Sequence, residues 1–193
     1  MAPETDATTT QREDAELMRR VQAGDEAAFA ALMERWELPV KSVIARIVLN
    51  ASEAEDLAQE TFVRLWQHRA NLTAGRSVKP WILGIAVNLA RNRLRWWKRR
   101  PTVALEVWTE TAETLKPEEH AGTSVLEQAE RAKAVRDAIA TLPTDLREAL
   151  VLFEYEQMSY AEIAEALGVS AKAVENRIAR ARERLRAALK SWA

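Results

Sequence analysis

The stretch Ser159–Leu189, SYAEIAEALGVSAKAVENRIARARERLRAAL, decides the fold of the second half of the chain. A helix is predicted to begin after Ser159, because a serine followed three residues later by Glu162 forms a capping box. Gly168 predicts the left-handed turn that ends this helix, and Ser170 predicts the cap of the next one. A short helix, a tight glycine turn and a longer helix are typical of a helix-turn-helix.

The longer helix of this motif has an apolar face and a basic face, since each residue advances the helix by about 100°. The apolar face consists of Val174, Ile178, Ala181 and Leu185. The basic face consists of Lys172, Asn176 and Arg180, with Ala173 and Arg177 beside them. The second helix of such a motif enters the major groove of DNA, so these five residues are candidate DNA contacts. A helical hairpin with a solvated basic face is the alternative.

Charge is segregated along the chain, although the net charge is only −1. Residues 91–100 carry six cations and no acid, residues 101–130 have a net charge of −6, and residues 171–190 have a net charge of +5. Such segregation favours basic surfaces that bind nucleic acid. The absence of cysteine excludes a disulfide framework and a thiolate metal site. With no signal peptide and no apolar run of membrane-spanning length, we expect a soluble cytoplasmic protein.

Helical signals fall into two blocks, and strand signals are scarce. We predict an all-α fold with two small helical domains joined by a flexible acidic linker. The predicted segments are a disordered N-terminus at 1–11, a helical domain at 12–100, the linker at 101–123 and a helix-turn-helix domain at 124–193. Further capping boxes are predicted at Ser52 with Glu55 and at Ser124 with Glu127.

A second basic helix is predicted from Pro80 to Arg100. Its core side consists of Ile82, Leu83, Ala86, Val87, Ala90, Leu94 and Trp97. Its opposite side, which we call the reading stripe, consists of Asn88, Asn92, Arg95 and Arg99, with Trp81 at its head. Amides and guanidinium groups bond base edges and phosphates, and exposed aromatic rings stack on unpaired bases. A solvated face is the alternative, and Trp96, at the margin of the stripe, is assigned to the core.

The helix predicted from Glu53 to His68 has an exposed, mostly acidic side. Its core side consists of Ala54, Ala58, Phe62 and Leu65. Its acidic stripe consists of Glu53, Asp56, Glu60 and Gln67, flanked by Gln59 and Val63. An acidic stripe beside an exposed apolar residue favours a protein-binding surface, and acids near a helix N-terminus in solvent are the alternative.

In both blocks the sequence resembles the extracytoplasmic-function (ECF) group of bacterial RNA polymerase sigma factors. The matching stretches are GDEAAFAALMERW at 24–36, AEDLAQETFVRLW at 54–66, KPWILGIAVNLARNRLR at 79–95, LPTDLREALVLFEYEQMSYAEIAEALGVS at 142–170 and VENRIARARERL at 174–185. Their order and spacing make the combination specific. Departures are Lys172–Ala173 where Gly-Thr is frequent, Glu175 where lysine is frequent, and Leu72 where an aromatic residue is usual.

This resemblance implies a role for each block. The helix predicted from Glu53 to His68 would bind the largest polymerase subunit through Asp56, Gln59, Glu60 and Val63. The helix at 80–100, through the reading stripe and Trp81, would read and open the minus-ten element. The loop at 71–79, through Asn71, Arg76 and Ser77, would hold a flipped base, and the helix-turn-helix would read the minus-thirty-five element. The implied partners are core RNA polymerase, promoter DNA and an anti-sigma factor.

Two other classes of protein are alternatives to a sigma factor. The carboxylates at Glu53, Asp56 and Glu60 could suggest a metallo-enzyme on a helical bundle, but neither histidine has a glutamate three positions before it. No catalytic motif is present, so we predict no enzyme, no catalytic residue, no metal and no cofactor. A stand-alone helix-turn-helix regulator is the alternative function, and it leaves the reading stripe without a role.

Overall fold

The computed structural model describes residues 4–71, 77–100 and 123–190, with side chains from residue 10 in the first range and from residue 130 in the last. Within these ranges regular structure is entirely helical, which confirms the all-α prediction. The first domain contains α1 (Glu4–Gln22), α2 (Glu26–Val48), α3 (Ala51–Gln67), a 3₁₀ turn (Arg69–Asn71) and α4 (Val78–Arg99). The second domain contains α5 (Thr123–Ala140), α6 (Thr144–Glu154), α7 (Tyr160–Leu167) and α8 (Ala171–Ala188).

In the first domain α2 lies at the centre, where it packs against α1, α3 and α4. Asp25 begins α2, because its side chain accepts a hydrogen bond from the Ala28 amide. Asn50 begins α3 in the same way through the Glu53 amide, so the predicted cap at Ser52 is wrong by two residues. Ser52 lies inside the helix, and its presumed partner Glu55 pairs with Lys41 instead.

Helix α1 begins at Glu4, ahead of the predicted domain start at residue 12. Met18 and Val21 are buried against the rest of the domain. The carboxylate of Asp14 accepts hydrogen bonds from Arg35 at 2.8 Å and from the Trp36 indole at 3.2 Å. Burial raises the pKa of Asp14 although both neighbours favour its charged form.

The helix-turn-helix forms as its sequence predicts. Ser159 and Glu162 make a complete capping box at the start of α7, and Gly168 ends α7 with φ of 65°. Ser170 caps α8 by accepting a hydrogen bond from the Ala173 amide. The three signals are local, since each depends on contacts within one turn of helix, and for that reason they are readable from sequence.

The two domains pack against each other, an arrangement that the sequence does not predict. Helix α7 lies against α4, and α6 lies against α2. A single core cluster includes Ile82 and Leu83 of the first domain and Leu152 and Ile163 of the second. The predicted linker and the Ser124–Glu127 capping box fall on residues whose backbone or side chains lie outside the described part of the chain.

Candidate nucleic-acid interface

The reading stripe on α4 is presented to solvent. Asn88, Asn92, Arg95 and Arg99 are all exposed. On the other side of the helix, the core side chains Ile82, Leu83, Ala86, Val87 and Ala90 are fully buried. Amide groups thus lie nearer the middle of α4 and guanidinium groups nearer its C-terminus, where cations also interact favourably with the helix dipole.

Of the three tryptophans of α4, one is buried and two are half-buried. Trp97 is buried, with 6% of its surface exposed, which confirms its prediction as a core residue. Trp96 is half-buried against the core, and the Arg100 guanidinium lies 5.0 Å from the centre of its ring. Trp81, at the head of the reading stripe, is also half-buried against the core. Part of the Trp81 ring remains available for stacking, although less of it than a fully exposed side chain would offer.

The loop before α4 is only partly within the described residues. Asn71 ends the 3₁₀ turn and is exposed, and Ser77 is half-buried at the N-cap position of α4. The Ser77 side chain makes no capping hydrogen bond there, so its hydroxyl is not committed to the helix. Arg76 lies outside the described residues.

On α8 the structure brings the five predicted contact residues to one side of the helix. Lys172, Asn176 and Arg180 are exposed, and Ala173 and Arg177 are half-buried. Val174, Ile178 and Ala181 are buried on the opposite side. An exposed basic side opposite a buried apolar side is the arrangement expected of the second helix of a DNA-binding helix-turn-helix.

Two of the predicted contact residues on α8 have carboxylate partners. The Lys172 ammonium donates to Glu175 at 2.8 Å, and both side chains are exposed. The Arg177 Nε lies 3.9 Å from a carboxylate oxygen of Asp145 in α6, at the limit of an ion pair. Glu175 therefore places a hydrogen-bond acceptor next to the lysine at the front of the helix.

The predicted polymerase-binding residues of α3 separate into two environments. Asp56 is exposed, and Glu60 accepts two hydrogen bonds from Arg64 one turn later. Gln59 and Val63 instead line a groove between α2 and α3, and Val63 is 53% exposed.

One member of the predicted acidic stripe is placed differently. The Glu53 carboxylate forms an ion pair with Arg93 of α4, and only 19% of the Glu53 side-chain surface is exposed. Its inclusion in an exposed stripe is wrong, because the partner lies forty residues away in sequence and joins it only through the packing of α3 on α4.

The groove between α2 and α3 was not predicted. It has a volume of about 360 Å³, and its apolar lining consists of Phe29, Met33, Ala58, Phe62, Val63 and Trp66. Its polar rim consists of Glu37, Lys41, Glu55, Gln59 and Gln67. The rings of Phe29 and Trp66 lie 4.9 Å apart at one end, where Arg69 stacks on Trp66 at 4.3 Å. The sequence signal was available: Phe29 with Met33 and Phe62 with Trp66 are apolar pairs one helical turn apart.

No group of three metal-binding side chains is found within residues 4–71, 77–100 and 123–190. Across the same ranges, none of the helices combines the length and apolar character that crossing a bilayer requires.

The fold and its surfaces define a class of protein. Two helical domains each present an exposed basic face on one helix, and the first domain adds an apolar groove with a charged rim. Such surfaces are typical of a transcription factor that contacts both DNA and a protein partner.

Comparison with known proteins identifies the family. Residues 32–100 match the profile of sigma-70 region 2, and residues 132–185 match that of sigma-70 region 4. The chain is 37% identical to the RNA polymerase sigma-H factor of Pseudomonas aeruginosa, covering 93% of this chain and 95% of the relative. It is 33% identical to the ECF RNA polymerase sigma-E factor of Haemophilus influenzae, covering 88% and 92%. Among solved structures, CnrH in complex with the cytosolic domain of CnrY has a TM-score of 0.67 at 26% identity, covering 93% and 98%.

This chain belongs to the ECF group of RNA polymerase sigma factors. It is a promoter-recognising transcription initiation factor, as the resemblance implied, and nothing favours the alternative of a stand-alone regulator.

Proposed function

We propose that α4 reads and opens the minus-ten element of the promoter while α8 reads the minus-thirty-five element. The observation that carries this assignment is the exposure of a polar, basic face on each of these two helices, opposite a buried apolar face. One reading helix per domain lets a single chain recognise two separated DNA elements.

On α4 the amide and guanidinium groups take different roles. Asn88 and Asn92 bond the edges of unpaired bases, since amides carry both donors and acceptors. Arg95 and Arg99 contact phosphate at the upstream duplex edge, and Trp81 stacks at the head of the reading stripe. Asn71, Arg76 and Ser77 hold a base that has left the stack, as the loop of the family does.

On α8 the exposed Lys172, Asn176 and Arg180 face base edges in the major groove. Lysine and arginine bond guanine, and asparagine bonds adenine. The Ala173 methyl suits contact with a thymine methyl, and Arg177, held at the side of the helix near Asp145, contacts phosphate.

Core RNA polymerase binds the groove between α2 and α3. An apolar groove with a charged rim is suited to the apolar face of a partner helix. Gln59 and Val63 contribute from within the groove, whereas Asp56 and Glu60 act as charges beside it. This assignment moves the centre of the polymerase site from the acidic stripe to the groove.

The experiment compares two exposed apolar residues of the first domain in run-off transcription with core polymerase. Val63→Glu places a charge in the groove and should abolish polymerase binding and transcription. Leu38→Glu, at a position that is 73% exposed and outside the groove lining, is the matched control and should leave both near the parent level. Equal activity of Val63→Glu and the parent would overturn the groove assignment.

The proposed partners determine where the protein acts and how it is regulated. The protein acts in the cytoplasm, where polymerase and promoter DNA are, and it catalyses no reaction of its own. An anti-sigma factor regulates it. This proposal is supported by the frequent pairing of the family with anti-sigma factors and by the structure of CnrH in complex with another protein, the cytosolic domain of CnrY. Purified protein should show no metal-dependent hydrolysis of nucleotides or esters.

A further inference from the structure

A carboxylate lies among the cations at the front of α8. Between residues 171 and 180 the sequence has a single acid, Glu175, beside the cations Lys172, Arg177 and Arg180. The Glu175 side chain is exposed, with 49% of its surface open to solvent. Because DNA carries a negative charge on every phosphate, a carboxylate on a DNA-reading helix opposes binding to all sequences alike. Glu175 can favour DNA binding only by accepting a hydrogen bond from a base.

Glu175 lies on one border of the basic face of α8. At about 100° per residue, Glu175 and Arg177 lie about 100° to either side of Asn176. Lys172 lies between Asn176 and Glu175 when the helix is viewed along its axis. All four residues belong to the first two turns of a helix that begins at Ala171. In a helix-turn-helix these N-terminal turns approach the base edges, so Glu175 lies at the end of α8 that enters the groove in the proposed complex.

An ion pair holds the carboxylate beside a lysine. The Lys172 ammonium donates to Glu175 Oε2 at 2.8 Å. The two residues are three positions apart, so their side chains meet on the surface of the helix. An ammonium has three N–H donors and a carboxylate has several lone pairs, so each group can form further bonds. The pair therefore presents a donor and an acceptor side by side, and the positive charge of the lysine offsets the repulsion between the carboxylate and phosphate.

A G·C base pair presents the complementary pattern in the major groove. Its guanine offers the acceptors O6 and N7, and its cytosine offers the N4 amine as a donor. Guanine O6 and cytosine N4 are joined by a hydrogen bond, so they lie about 2.9 Å apart. This distance is close to the 2.8 Å between Lys172 Nζ and Glu175 Oε2. With lysine on O6 and glutamate on N4, donors and acceptors alternate around a closed ring of hydrogen bonds.

Other base pairs match the ion pair less well. An A·T pair also places an acceptor, thymine O4, beside a donor, adenine N6, but the neighbour of O4 is a methyl group, whereas the neighbour of guanine O6 is a second acceptor. The ammonium can bond that second acceptor and forms no bond with the methyl group. A C·G pair in the reverse orientation places its amine against the ammonium and its oxygen against the carboxylate. The ion pair therefore favours G·C in one orientation.

We propose that Glu175 is a specificity-determining residue of the minus-thirty-five reader and that it selects a cytosine whose guanine partner is bonded by Lys172. This inference rests on the function proposed above for α8. Glu175 accepts from the cytosine N4 amine and holds the Lys172 ammonium over the guanine, so the two side chains read one base pair together. Removal of an ion pair that serves only the helix surface would leave base preference unchanged.

The first experiment measures the base preference of the holoenzyme. The full chain is assembled with core polymerase on a promoter library randomised across the minus-thirty-five element, and the bound promoters are sequenced. Glu175→Ala and Lys172→Ala should each reduce a G·C preference at the same position, by about 5- to 150-fold, as expected for the loss of a good base contact. Glu183→Ala is the matched control, because Glu183 is an exposed acid on the same helix, eight residues or about 12 Å further from the reading end.

The control separates base reading from the general effect of charge. Glu175→Ala and Glu183→Ala both remove a carboxylate and should both strengthen binding to all sequences, because repulsion from phosphate falls. Only Glu175→Ala should also change the ratio of affinities for the preferred base pair and the other pairs. Both positions are exposed, so neither substitution should disturb the fold, and circular dichroism verifies this.

The second experiment removes the proposed donor from the DNA. In a promoter of the preferred sequence, the cytosine is replaced by a pyrimidinone base that lacks the N4 amine, and its guanine partner is kept. The parent holoenzyme should lose affinity for this promoter, whereas Glu175→Ala should bind both promoters about equally. Any weakening of the duplex by the pyrimidinone is common to the two proteins and cancels in the comparison, as in a double-mutant cycle.

Several results would overturn the inference. One is an equal loss on the pyrimidinone promoter for the parent and Glu175→Ala, and another is a parent preference for A·T or for the reversed C·G pair at the position that Glu175 affects. A third is an unchanged base preference in Glu175→Ala, and an altered preference in Asn176→Ala would then show that α8 still reads the upstream element. A parent holoenzyme with no upstream base preference would overturn both this inference and the function proposed for α8.

Discussion

Adjacent tryptophans at the end of α4 should respond very differently to truncation. Trp97→Ala removes a ring that is 94% buried, since only 6% of its surface is exposed. A tryptophan buries about 150–250 Å², which at about 25 cal/mol per Å² corresponds to about 4–6 kcal/mol as an upper bound. Measured substitutions of this kind lose about 3–5 kcal/mol. We expect a loss of about 3–5 kcal/mol, a large share of the 5–15 kcal/mol typical of whole domains.

Trp96→Ala is the internal comparison. Its ring is half-buried, and its partner Arg100 is exposed, so the cation–π contact is worth about 0.5–1 kcal/mol. With the smaller buried area, we expect a total loss of about 1–2 kcal/mol. Both variants remove the same group from neighbouring positions of one helix, so changes in helix propensity nearly cancel between them.

The assay is urea unfolding followed by far-UV circular dichroism, which does not depend on tryptophan emission. The denaturation midpoint should fall much further for Trp97→Ala, with a similar dependence on urea for all three proteins. A loss below 1 kcal/mol for Trp97→Ala, or a larger loss for Trp96→Ala, would show that the faces of α4 are assigned wrongly.

Three further predictions concern the DNA-reading helices and α1. Arg95→Ala and Asn88→Ala should change the unfolding free energy by no more than about 0.5 kcal/mol, yet reduce promoter opening in permanganate footprinting. A pre-melted template should rescue Asn88→Ala more than Arg95→Ala, and the Arg95→Ala defect should vary with salt, because phosphate contacts release counterions. Asn176→Ala should lose about 1–3 kcal/mol of discrimination at one upstream position in a promoter-library selection. Burial raises the pKa of Asp14, so the folded state binds its proton more tightly than the unfolded state does. The unfolding free energy of the parent should therefore increase, relative to Asp14→Asn, as the pH falls through the folded pKa towards 3.8.

Each of these predictions has a result that contradicts it. Parent-like footprints for both α4 variants would remove the reading stripe from promoter opening. Unchanged base preference in Asn176→Ala, compared with an Ala187→Ser control outside the contact set, would refute base reading at that position. Parallel pH profiles for the parent and Asp14→Asn would mean that Asp14 titrates alike in the folded and unfolded chains.

Features set by neighbouring residues were predictable from sequence, and features set by tertiary packing were not. The capping box at Ser159 and the left-handed Gly168 each depend on a single turn of chain. The cap at Ser52 was wrong because Asn50, an equally good cap, lies two residues earlier, and cap preference alone does not decide between them. The partner of Glu53 could not be foreseen, because Arg93 approaches it only when α3 packs on α4.

The candidate binding surfaces divide in the same way, into features predictable from sequence and features that depend on tertiary packing. Faces of single helices, such as the reading stripe and the basic side of α8, follow from helical periodicity and are exposed as predicted. The groove needs two helices at a particular distance, and its Phe29 and Trp66 are remote in sequence. Gly84 of α4 gives no sign in the sequence that the backbone of Ala166 in α7 lies against it.

Where the two domains pack together, Arg147 of α6 donates a hydrogen bond to the Ile47 carbonyl of α2, one hundred positions earlier, and this separation imposes an order on events during synthesis. At about 5–20 residues per second, a ribosome needs about 5–20 seconds to proceed from Ile47 to Arg147. The first domain is complete at about residue 100 and can fold within that interval, whereas the second domain has yet to be made. Every newly made molecule therefore passes through a period in which the flank of α4 that later packs on the second domain is uncovered. A partner that acts on nascent chains would encounter the first domain before the second domain is packed against it.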